Sequence, residues 1–233
     1  MMKEMTKQIT KQISKQIEDK NTIIFDLDGT LLDTIADLTD SVNYVMEQYG
    51  FPIYTIPQIK SFVGNGIRRL MINAVPLGEE DPHFEEAFAL FKSYYQDHCM
   101  VKTKPYEGIP ELLAKCRQRN YNIAIVSNKN QEAVTRLCKH FFAKDVSVAI
   151  GQKEGVRKKP YPDSVLAALD QLGADRKQSV YVGDSEVDAE TSQNADMDGI
   201  LVSWGFRDRA LLESLHPRAI ADQPLDILDI LKE

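Results

Sequence analysis

Residues Thr22–Asp33, which read TIIFDLDGTLLD, decide how the rest of the chain is interpreted. The short apolar run Ile23–Phe25 is β-branched and aromatic, which is typical of a buried strand. It leads into two carboxylates, Asp26 and Asp28, and then into Gly29, which permits a turn. Ligands bind at the carboxyl ends of strands in an open parallel sheet, so this stretch predicts a functional site at a strand end.

The two carboxylates also suggest what the site binds. Asp26 and Asp28 repel each other at this spacing unless a cation lies between them. Mg²⁺ prefers oxygen ligands, usually takes one or two protein carboxylates, and leaves positions for phosphate oxygens. The pair therefore favours a metal-assisted phosphate site. The alternative at this point is a strand that ends in a solvated Asp-Gly turn.

Length and composition restrict the class of protein. A chain of 233 residues fits one large domain or a core with a smaller insert, and its net charge of −7 argues against broad nucleic-acid binding. The three cysteines are scattered and form no Cys-x-x-Cys pair, which predicts a reducing, cytoplasmic setting. No apolar run is long enough to cross a membrane, and the N-terminus lacks the apolar segment of a secretory signal.

Hydrophobic periodicity divides the chain into three parts. Residues 1–20 repeat a Thr/Ser-Lys-Gln-Ile unit and are predicted to be a flexible leader, with a small partner-binding helix as the alternative. Residues 34–104 show helical periodicity without a clear strand, which predicts an all-helical cap inserted after the first strand. From Pro105 helices alternate with strands, so residues 21–33 and 105–233 are predicted to form an α/β, Rossmann-like core with a doubly wound parallel sheet.

Two later segments place polar side chains at a predicted strand end or in the loop beyond it. The strand Ile123–Val126 is followed by Ser127 and Asn128, and a hydroxyl at a strand end can donate to a phosphate oxygen. Lys159 stands in the proline-stiffened loop KPYP, where a fixed ammonium group would offset phosphate charge, with Lys158 as its competitor. A simple turn and a solvated basic loop are the alternatives.

A further segment, Val180–Asp188, is again an apolar strand that ends in acids. Asp184 and Asp188 are four residues apart, which places both on one side of the first turn of the following helix. In a parallel sheet this second acidic strand end would point into the same crevice as the first. The alternative is that these residues only cap the helix.

These four segments, in this order, resemble the motifs of the haloacid dehalogenase (HAD) superfamily. The stretch FDLDGTLLDT is most similar to the phosphoglycolate phosphatase-like branch. The resemblance implies a Mg²⁺-dependent phosphatase that hydrolyses a small phosphorylated metabolite through an aspartyl-phosphate, with phosphoglycolate as the leading substrate. The open alternatives are a β-phosphoglucomutase-type mutase, a phosphatase for nucleotide, sugar phosphate or pyrophosphate, and a non-catalytic phospho-acceptor module. No nucleic-acid or membrane partner is expected, and the oligomeric state stays open.

The resemblance also implies catalytic and metal-binding roles. Asp26 would be the nucleophile, and Asp28 the general acid and then the general base. The Asp26 carboxylate, the Asp28 backbone carbonyl and the Asp184 carboxylate would hold Mg²⁺. Lys159 would offset negative charge, and Asp188 would support a metal-bound water or orient Lys159.

Substrate binding is assigned in the same way. Ser127, Asn128 and backbone amides near Leu27 and Gly29 would bind the phosphoryl oxygens, and Thr30 would position the general acid.

The predicted cap would act as a lid that excludes water and selects the substrate. Its segment Gly64-Asn65-Gly66 opens a helix and offers backbone amides to an anion. Arg68 would add a planar fork for a carboxylate or a phosphate. A plain turn between helices is the alternative for this segment.

Overall fold

A parallel sheet forms the centre of the molecule, and helices cover both of its faces. The computed structural model describes residues 20–232, so the predicted leader, apart from Lys20, lies outside the described residues. The strands are β1 (Thr22–Phe25), β2 (Leu32–Asp33), β3 (Lys104–Pro105), β4 (Asn122–Asn130), β5 (Val148–Gln152), β6 (Ser179–Gly183), β7 (Asp198–Val202) and β8 (Ala219–Ala221). The helices are α1 (Ile35–Tyr49), α2 (Ile56–Phe62), α3 (Ile67–Ala74), α4 (Phe84–His98), α5 (Ile109–Gln118), α6 (Gln131–Phe141), α7 (Asp163–Leu172), α8 (Glu186–Asn194), α9 (Arg209–Ser214) and α10 (Asp226–Ile230).

The main sheet has the strand order β5-β4-β1-β6-β7-β8, and every neighbouring pair is parallel. Side chains alternate between the two faces of β1. Ile23 and Phe25 pack in a cluster with residues of α5 and α6, whereas Ile24 packs in a second cluster with residues of α7. All three side chains are fully buried, and burial of each contributes roughly 1.5–3 kcal/mol. The predicted doubly wound α/β fold is confirmed.

The segment between β2 and β3 contains helices α1–α4 and a short 3₁₀ turn, and no strand lies among these described residues. The four helices enclose a hydrophobic cluster that includes Val42, Met46 and Phe91, and Phe206 from the loop after β7 joins it. Helix α1 ends at Tyr49 because Gly50 adopts the left-handed backbone conformation, with φ 66°. This helical insert corresponds to the predicted cap; the division of the chain into domains stays a prediction.

Two very short strands mark the entry to and the exit from the insert. β2 and β3 pair antiparallel, with Leu32 opposite Pro105 and Asp33 opposite Lys104. The sequence did not indicate this ribbon, because strands of two residues are too short to show any periodicity. The chain therefore leaves the core and returns to it at adjacent points.

Some further features concern residues outside the sheet. The ammonium group of Lys20 donates to the Ser179 carbonyl at 3.0 Å and pairs with Asp198 at 2.8 Å, so the last residue of the predicted leader contacts the core.

The three cysteines are buried free thiols, and burial raises the pKa of the Cys116 thiol to about 12. Among the described helices, none is both long and apolar enough to cross a membrane.

Candidate active site

The carboxyl ends of the three central strands meet at one cleft between the sheet and the helical insert. Asp26 follows β1, Ser127 lies near the end of β4, and Asp184 follows β6. The backbone amide of Asp26 donates to the Val182 carbonyl at 2.8 Å, which ties the end of β1 to the end of β6. All three polar side chains line the cleft, which encloses about 630 Å³ including its open mouth. The predicted convergence of distant segments is present.

Three carboxylates form the floor of this cleft. Asp26, Asp184 and Asp188 each offer an oxygen atom, and these atoms lie within 4.8 Å of one another. Each residue is at most 7% exposed. The ammonium group of Lys159 donates to Asp26 Oδ1 and to Asp188 Oδ1, both at 2.7 Å. A single ammonium group therefore contacts two of the three carboxylates.

The electrostatics of this cluster favour an added cation. Burial raises the pKa of Asp26 to about 7; the Lys159 ammonium opposes this effect and the Asp188 carboxylate adds to it. Burial, with repulsion from Asp188 and Asp26, holds the pKa of Asp184 well above its usual range. Both pKa values are raised mainly by burial and further by repulsion between the carboxylates, so added positive charge beside them would stabilise their ionised forms. A hard divalent cation with oxygen ligands fits this donor set.

Lys159, and not Lys158, belongs to the cluster. Burial opposes the charge of Lys159, but the Asp188 and Asp26 carboxylates outweigh it and raise the pKa of its ammonium group. Asn128 holds the backbone of this lysine, since its Oδ1 accepts from the Lys159 amide at 2.8 Å and its Nδ2 donates to the Lys159 carbonyl at 3.1 Å. Lys158 is exposed, and its ammonium group donates to the Asn65 carbonyl at 2.8 Å. The Asn128 amide, predicted to contact a phosphoryl group, is thus occupied by the loop that carries Lys159.

Asp184 is held in place by the loops after β1 and β7. Its Oδ2 accepts from the Phe206 amide at 2.7 Å, and its Oδ1 accepts from the Thr30 hydroxyl at 3.4 Å. Thr30 therefore contacts Asp184 and not Asp28, contrary to its predicted role. Gly29 has a positive φ of 89°, and a Cβ atom there would overlap the Asp184 carboxylate. Only glycine combines this backbone conformation with the close approach of Asp184.

The other predicted phosphoryl-binding groups differ in their availability. The Ser127 hydroxyl accepts from the Lys129 amide at 3.2 Å and keeps its hydrogen for a ligand. The Gly29 amide donates to the Leu32 carbonyl at 2.9 Å, so it is engaged within the loop. At Leu27 the predicted donor is the backbone amide, and that role stays a prediction; the side chain is fully buried in the core. Ser127 is therefore the side chain of this group best placed to bind a phosphoryl oxygen.

Asp188 serves two purposes at once. Its Oδ2 accepts from the Ser185 amide at 3.1 Å and from the Ser185 hydroxyl at 2.6 Å, as part of the cap at the start of α8. Its Oδ1 accepts from Lys159. The helix-capping and the lysine-orienting interpretations of the sequence therefore apply to the same side chain.

Asp28 lies beside the acidic cluster and has a partner of its own. Both of its carboxylate oxygens accept from the ammonium group of Lys129, at 2.9 and 3.1 Å. Lys129 was not singled out from the sequence. The available signal was a lysine just beyond the predicted strand end, and the simple-turn alternative for that segment gave it no role.

The insert contributes the opposite side of the cleft. Gly64 and Gly66 line it, and α3 begins at Ile67 as the Gly-Asn-Gly segment predicted. Asn65 is exposed, and its carbonyl accepts from Lys158. The turn therefore lies against the cleft.

Arg68 does not reach the cleft, and its predicted placement there is wrong. Its guanidinium group pairs with Glu79 at 2.7 Å and with Glu85 at 2.5 Å, on the outer surface of the insert. The side chain is 46% exposed. The sequence prediction failed because these two glutamates come close to Arg68 only through packing within the insert.

We therefore expect Arg68→Ala to leave the ranking of substrates unchanged. Ile67→Ala is the matched control, because Ile67 is the preceding residue and lines the cleft. The control should change relative rates among substrates that differ in their leaving group. The measurement is kcat/KM for at least four phosphate esters with each variant. A loss in Arg68→Ala confined to esters that carry a carboxylate would contradict the position of Arg68 in the structure.

Arg207 is a second residue that the sequence did not reveal. Its guanidinium group pairs with Glu186 at 2.7 Å and donates to the carbonyls of Lys60 at 2.9 Å and Val63 at 2.6 Å. It lies in the loop after β7 and lines the cleft. A basic residue in an irregular loop carries no periodic signal, and its acceptors are backbone groups of the insert, which no sequence motif identifies.

Comparisons with known proteins agree with the architecture and the site. The family profile described as haloacid dehalogenase-like hydrolase matches residues 23–202. A phosphoglycolate phosphatase of Psychrobacter arcticus is 30% identical over 221 residues, which cover 91% of this chain and 96% of that protein. An N-acetylmuramic acid 6-phosphate phosphatase of Pseudomonas aeruginosa is 29% identical over 219 residues, which cover 90% of this chain and 93% of that protein.

A solved structure agrees as well. The crystal structure of a proposed phosphoglycolate phosphatase from Lactobacillus delbrueckii subsp. bulgaricus superposes with a TM-score of 0.86 at 36% sequence identity, covering 91% of this chain and 98% of that chain. The resemblance stated from the four motifs is thereby confirmed. The chain belongs to the haloacid dehalogenase-like hydrolases and lies in their phosphoglycolate phosphatase-like branch.

Proposed function

We propose that the protein is a Mg²⁺-dependent phosphatase of a small phosphorylated metabolite, with Asp26 as its nucleophile. The observation that carries this proposal is that Asp26 and Asp184, which follow the adjacent strands β1 and β6, meet Lys159 from the loop after β5 in a cleft that the insert lines on its other side. Membership of the hydrolase family and the phosphatases among the relatives support the same reaction class. Absence of turnover with a stable phosphorylated Asp26 would instead favour a non-catalytic phospho-acceptor.

The site has the groups that a magnesium ion requires. The carboxylates of Asp26 and Asp184 would hold it, together with the Asp28 backbone carbonyl, and Asp188 lies within the same acidic cluster. A bound Mg²⁺ supplies positive charge that screens the repulsion between an anionic nucleophile and an anionic phosphate.

The side chains divide the reaction between them. An Asp26 oxygen attacks phosphorus, a new O–P bond forms, and the bond to the leaving oxygen breaks with its electron pair on that oxygen. Asp28 gives a proton to the leaving oxygen and later takes one from the water that hydrolyses the aspartyl-phosphate. Lys159 offsets the negative charge beside the nucleophile, and the Ser127 hydroxyl donates to a phosphoryl oxygen.

Phosphoglycolate is the first substrate to test, because phosphoglycolate phosphatases recur among the relatives. The insert side of the cleft is largely apolar and includes Leu38, Ile67 and Leu70. Because Arg68 lies on the outer surface of the insert, its guanidinium group does not bind the carboxylate of a phosphoglycolate in the cleft. Sugar phosphates and amino-sugar phosphates therefore belong in the same panel, together with nucleotides and pyrophosphate.

The experiment is a phosphate-release screen over these compounds, each with Mg²⁺ and with EDTA. We expect release with at least one phosphate monoester, and only in the presence of Mg²⁺. Full activity in EDTA would contradict the metal role. Conversion of a hexose 1-phosphate to its 6-phosphate without phosphate release would show a mutase instead.

Mg²⁺ should also stabilise the protein more at pH 8 than at pH 6. Burial raises the pKa of Asp26 from its ordinary value of 3.8 to about 7, so the folded state binds protons more tightly than the unfolded state between these pH values. Metal-free stability should therefore fall as pH rises from about 4 towards 7. Protons and the cation compete for the same carboxylates. The measurement is the Mg²⁺-induced shift in Tm at both pH values. Asp184→Asn is the control and should lose most of the shift; an equal shift at the two pH values would contradict the linkage.

A further inference from the structure

Lys129 is a buried cation that lines the cleft and makes three hydrogen bonds to two partner side chains. Its side chain is only 4% exposed, and its ammonium group donates to both oxygens of Asp28, at 2.9 and 3.1 Å. A third contact joins it to the Tyr95 hydroxyl at 2.8 Å. An ammonium group has three donors, so these contacts use all of them. The lysine is thereby fixed in one position.

The three groups come from three separate parts of the chain. Asp28 lies in the loop after β1, Lys129 lies in β4 of the core, and Tyr95 lies in α4 of the insert. Tyr95 is 5% exposed, and its ring stacks on Phe91 with 5.5 Å between the centroids. The Lys129 ammonium also lies 4.8 Å from the centroid of the Tyr95 ring. The insert therefore supplies both a hydroxyl and an aromatic face to a lysine of the core.

We propose that Lys129 and Tyr95 position the Asp28 carboxyl group for proton transfer, and that Tyr95 makes this positioning depend on docking of the insert. This inference rests on the proposed function. In the step concerned, the P–O bond to the leaving group breaks with its electrons on oxygen, and the proton of the Asp28 carboxyl moves to that oxygen. Lys129 and Tyr95 exchange no proton. For this step Asp28 carries a proton taken from solvent on one oxygen, which gives up its Lys129 contact and faces the leaving group, while the other oxygen stays bound to Lys129 and fixes the orientation of the carboxyl group.

The choice of leaving group distinguishes a role of Lys129 and Tyr95 in positioning the general acid from a purely structural role of these two residues. An alkoxide needs a proton when it leaves, whereas p-nitrophenolate leaves readily without one. Mispositioning of the general acid should therefore slow alkyl phosphates far more than p-nitrophenyl phosphate. Loss of structure or of phosphate binding would slow both to the same extent.

The test compares kcat of the Mg²⁺-loaded enzyme for p-nitrophenyl phosphate and for the alkyl phosphate that the screen ranks first. For Lys129→Met we expect a loss of about 100-fold with the alkyl ester and less than about 10-fold with the aryl ester, the lower range of what general acid–base catalysis contributes. Tyr95→Phe keeps the ring and removes one hydroxyl, and it should give a smaller loss in the same direction. Lys129→Arg, which keeps the charge, should restore part of the alkyl ester activity.

A control variant and a reference variant show whether the losses arise from mispositioning of Asp28. Tyr94→Phe is the control for Tyr95, because Tyr94 is the preceding residue of α4 and stacks on Tyr44 outside the cleft. It should leave both activities unchanged. Equal losses on both esters in Lys129→Met and in Tyr95→Phe would overturn the inference. Asp28→Asn is the reference variant. If Asp28→Asn slows the alkyl ester more than the aryl ester, and Lys129→Met and Tyr95→Phe do not, only this inference fails. If Asp28→Asn does not discriminate either, the proposed role of Asp28 fails.

Discussion

Asp26→Asn should give a folded protein that no longer releases phosphate. An amide is a far weaker nucleophile than a carboxylate, so the rate should fall by about 10⁴-fold or more, as when other catalytic nucleophiles are removed. The fold should survive, because asparagine has nearly the same shape and Lys159 keeps its contact with Asp188. Since burial already raises the pKa of Asp26 to about 7, the neutral side chain should not lower the metal-free Tm at pH 8.

The measurements are phosphate release and Tm on the same preparations. Asp170→Asn is the matched control, because Asp170 is an exposed aspartate on α7, outside the cleft. An acid-quenched reaction of the unsubstituted protein should show one added phosphoryl group by mass, and the Asp26→Asn protein should show none. An unchanged rate would remove Asp26 from the mechanism.

Lys159→Met should cost both activity and stability. The substitution removes the only ammonium group that contacts Asp26 and Asp188 among the described residues, and leaves a buried acidic cluster without it. Removal of one partner from a buried ion pair costs about 3–5 kcal/mol in the free energy of unfolding. The loss should be larger at pH 8 than at pH 6, because the remaining carboxylates carry more charge at the higher pH.

Denaturant unfolding at the two pH values measures this loss, and phosphate release measures the activity. Lys158→Met is the control: that lysine is adjacent in sequence but exposed, and it donates to a backbone carbonyl of the insert. Added Mg²⁺ should recover part of the stability of Lys159→Met by supplying positive charge to the same cluster. If the two variants unfold alike and retain equal activity, Lys159 does not hold the site together.

The parts of the site that the sequence predicted are those set by strand ends. β1 lies between β4 and β6, and parallel strands present their carboxyl ends at one edge, so Asp26, Ser127 and Asp184 had to lie near one another. These placements needed only the order of elements and the direction of the strands. The choice of Lys159 over Lys158 needed the resemblance to the haloacid dehalogenase motifs as well, since only Lys159 has their spacing to proline.

The parts that the sequence did not predict depend on which side chains become partners after folding. Arg68 looked available for an anion, but two glutamates of the insert neutralise it on the outer surface. Lys129 looked like a loop residue, but Asp28 and Tyr95 bury it. In both cases the partners are distant in the chain or lie in a different element. No local pattern encodes such a choice.

The β2–β3 ribbon bears on how substrate preference can diverge among such enzymes. Its paired residues, Leu32 with Pro105 and Asp33 with Lys104, bring the two ends of a 70-residue excursion side by side. A foreign helical bundle with equally close termini could replace that excursion without moving the nucleophile or its cation. Replacement of the insert, in evolution or by design, would then change which substrate is selected while the catalytic residues and the reaction stay the same.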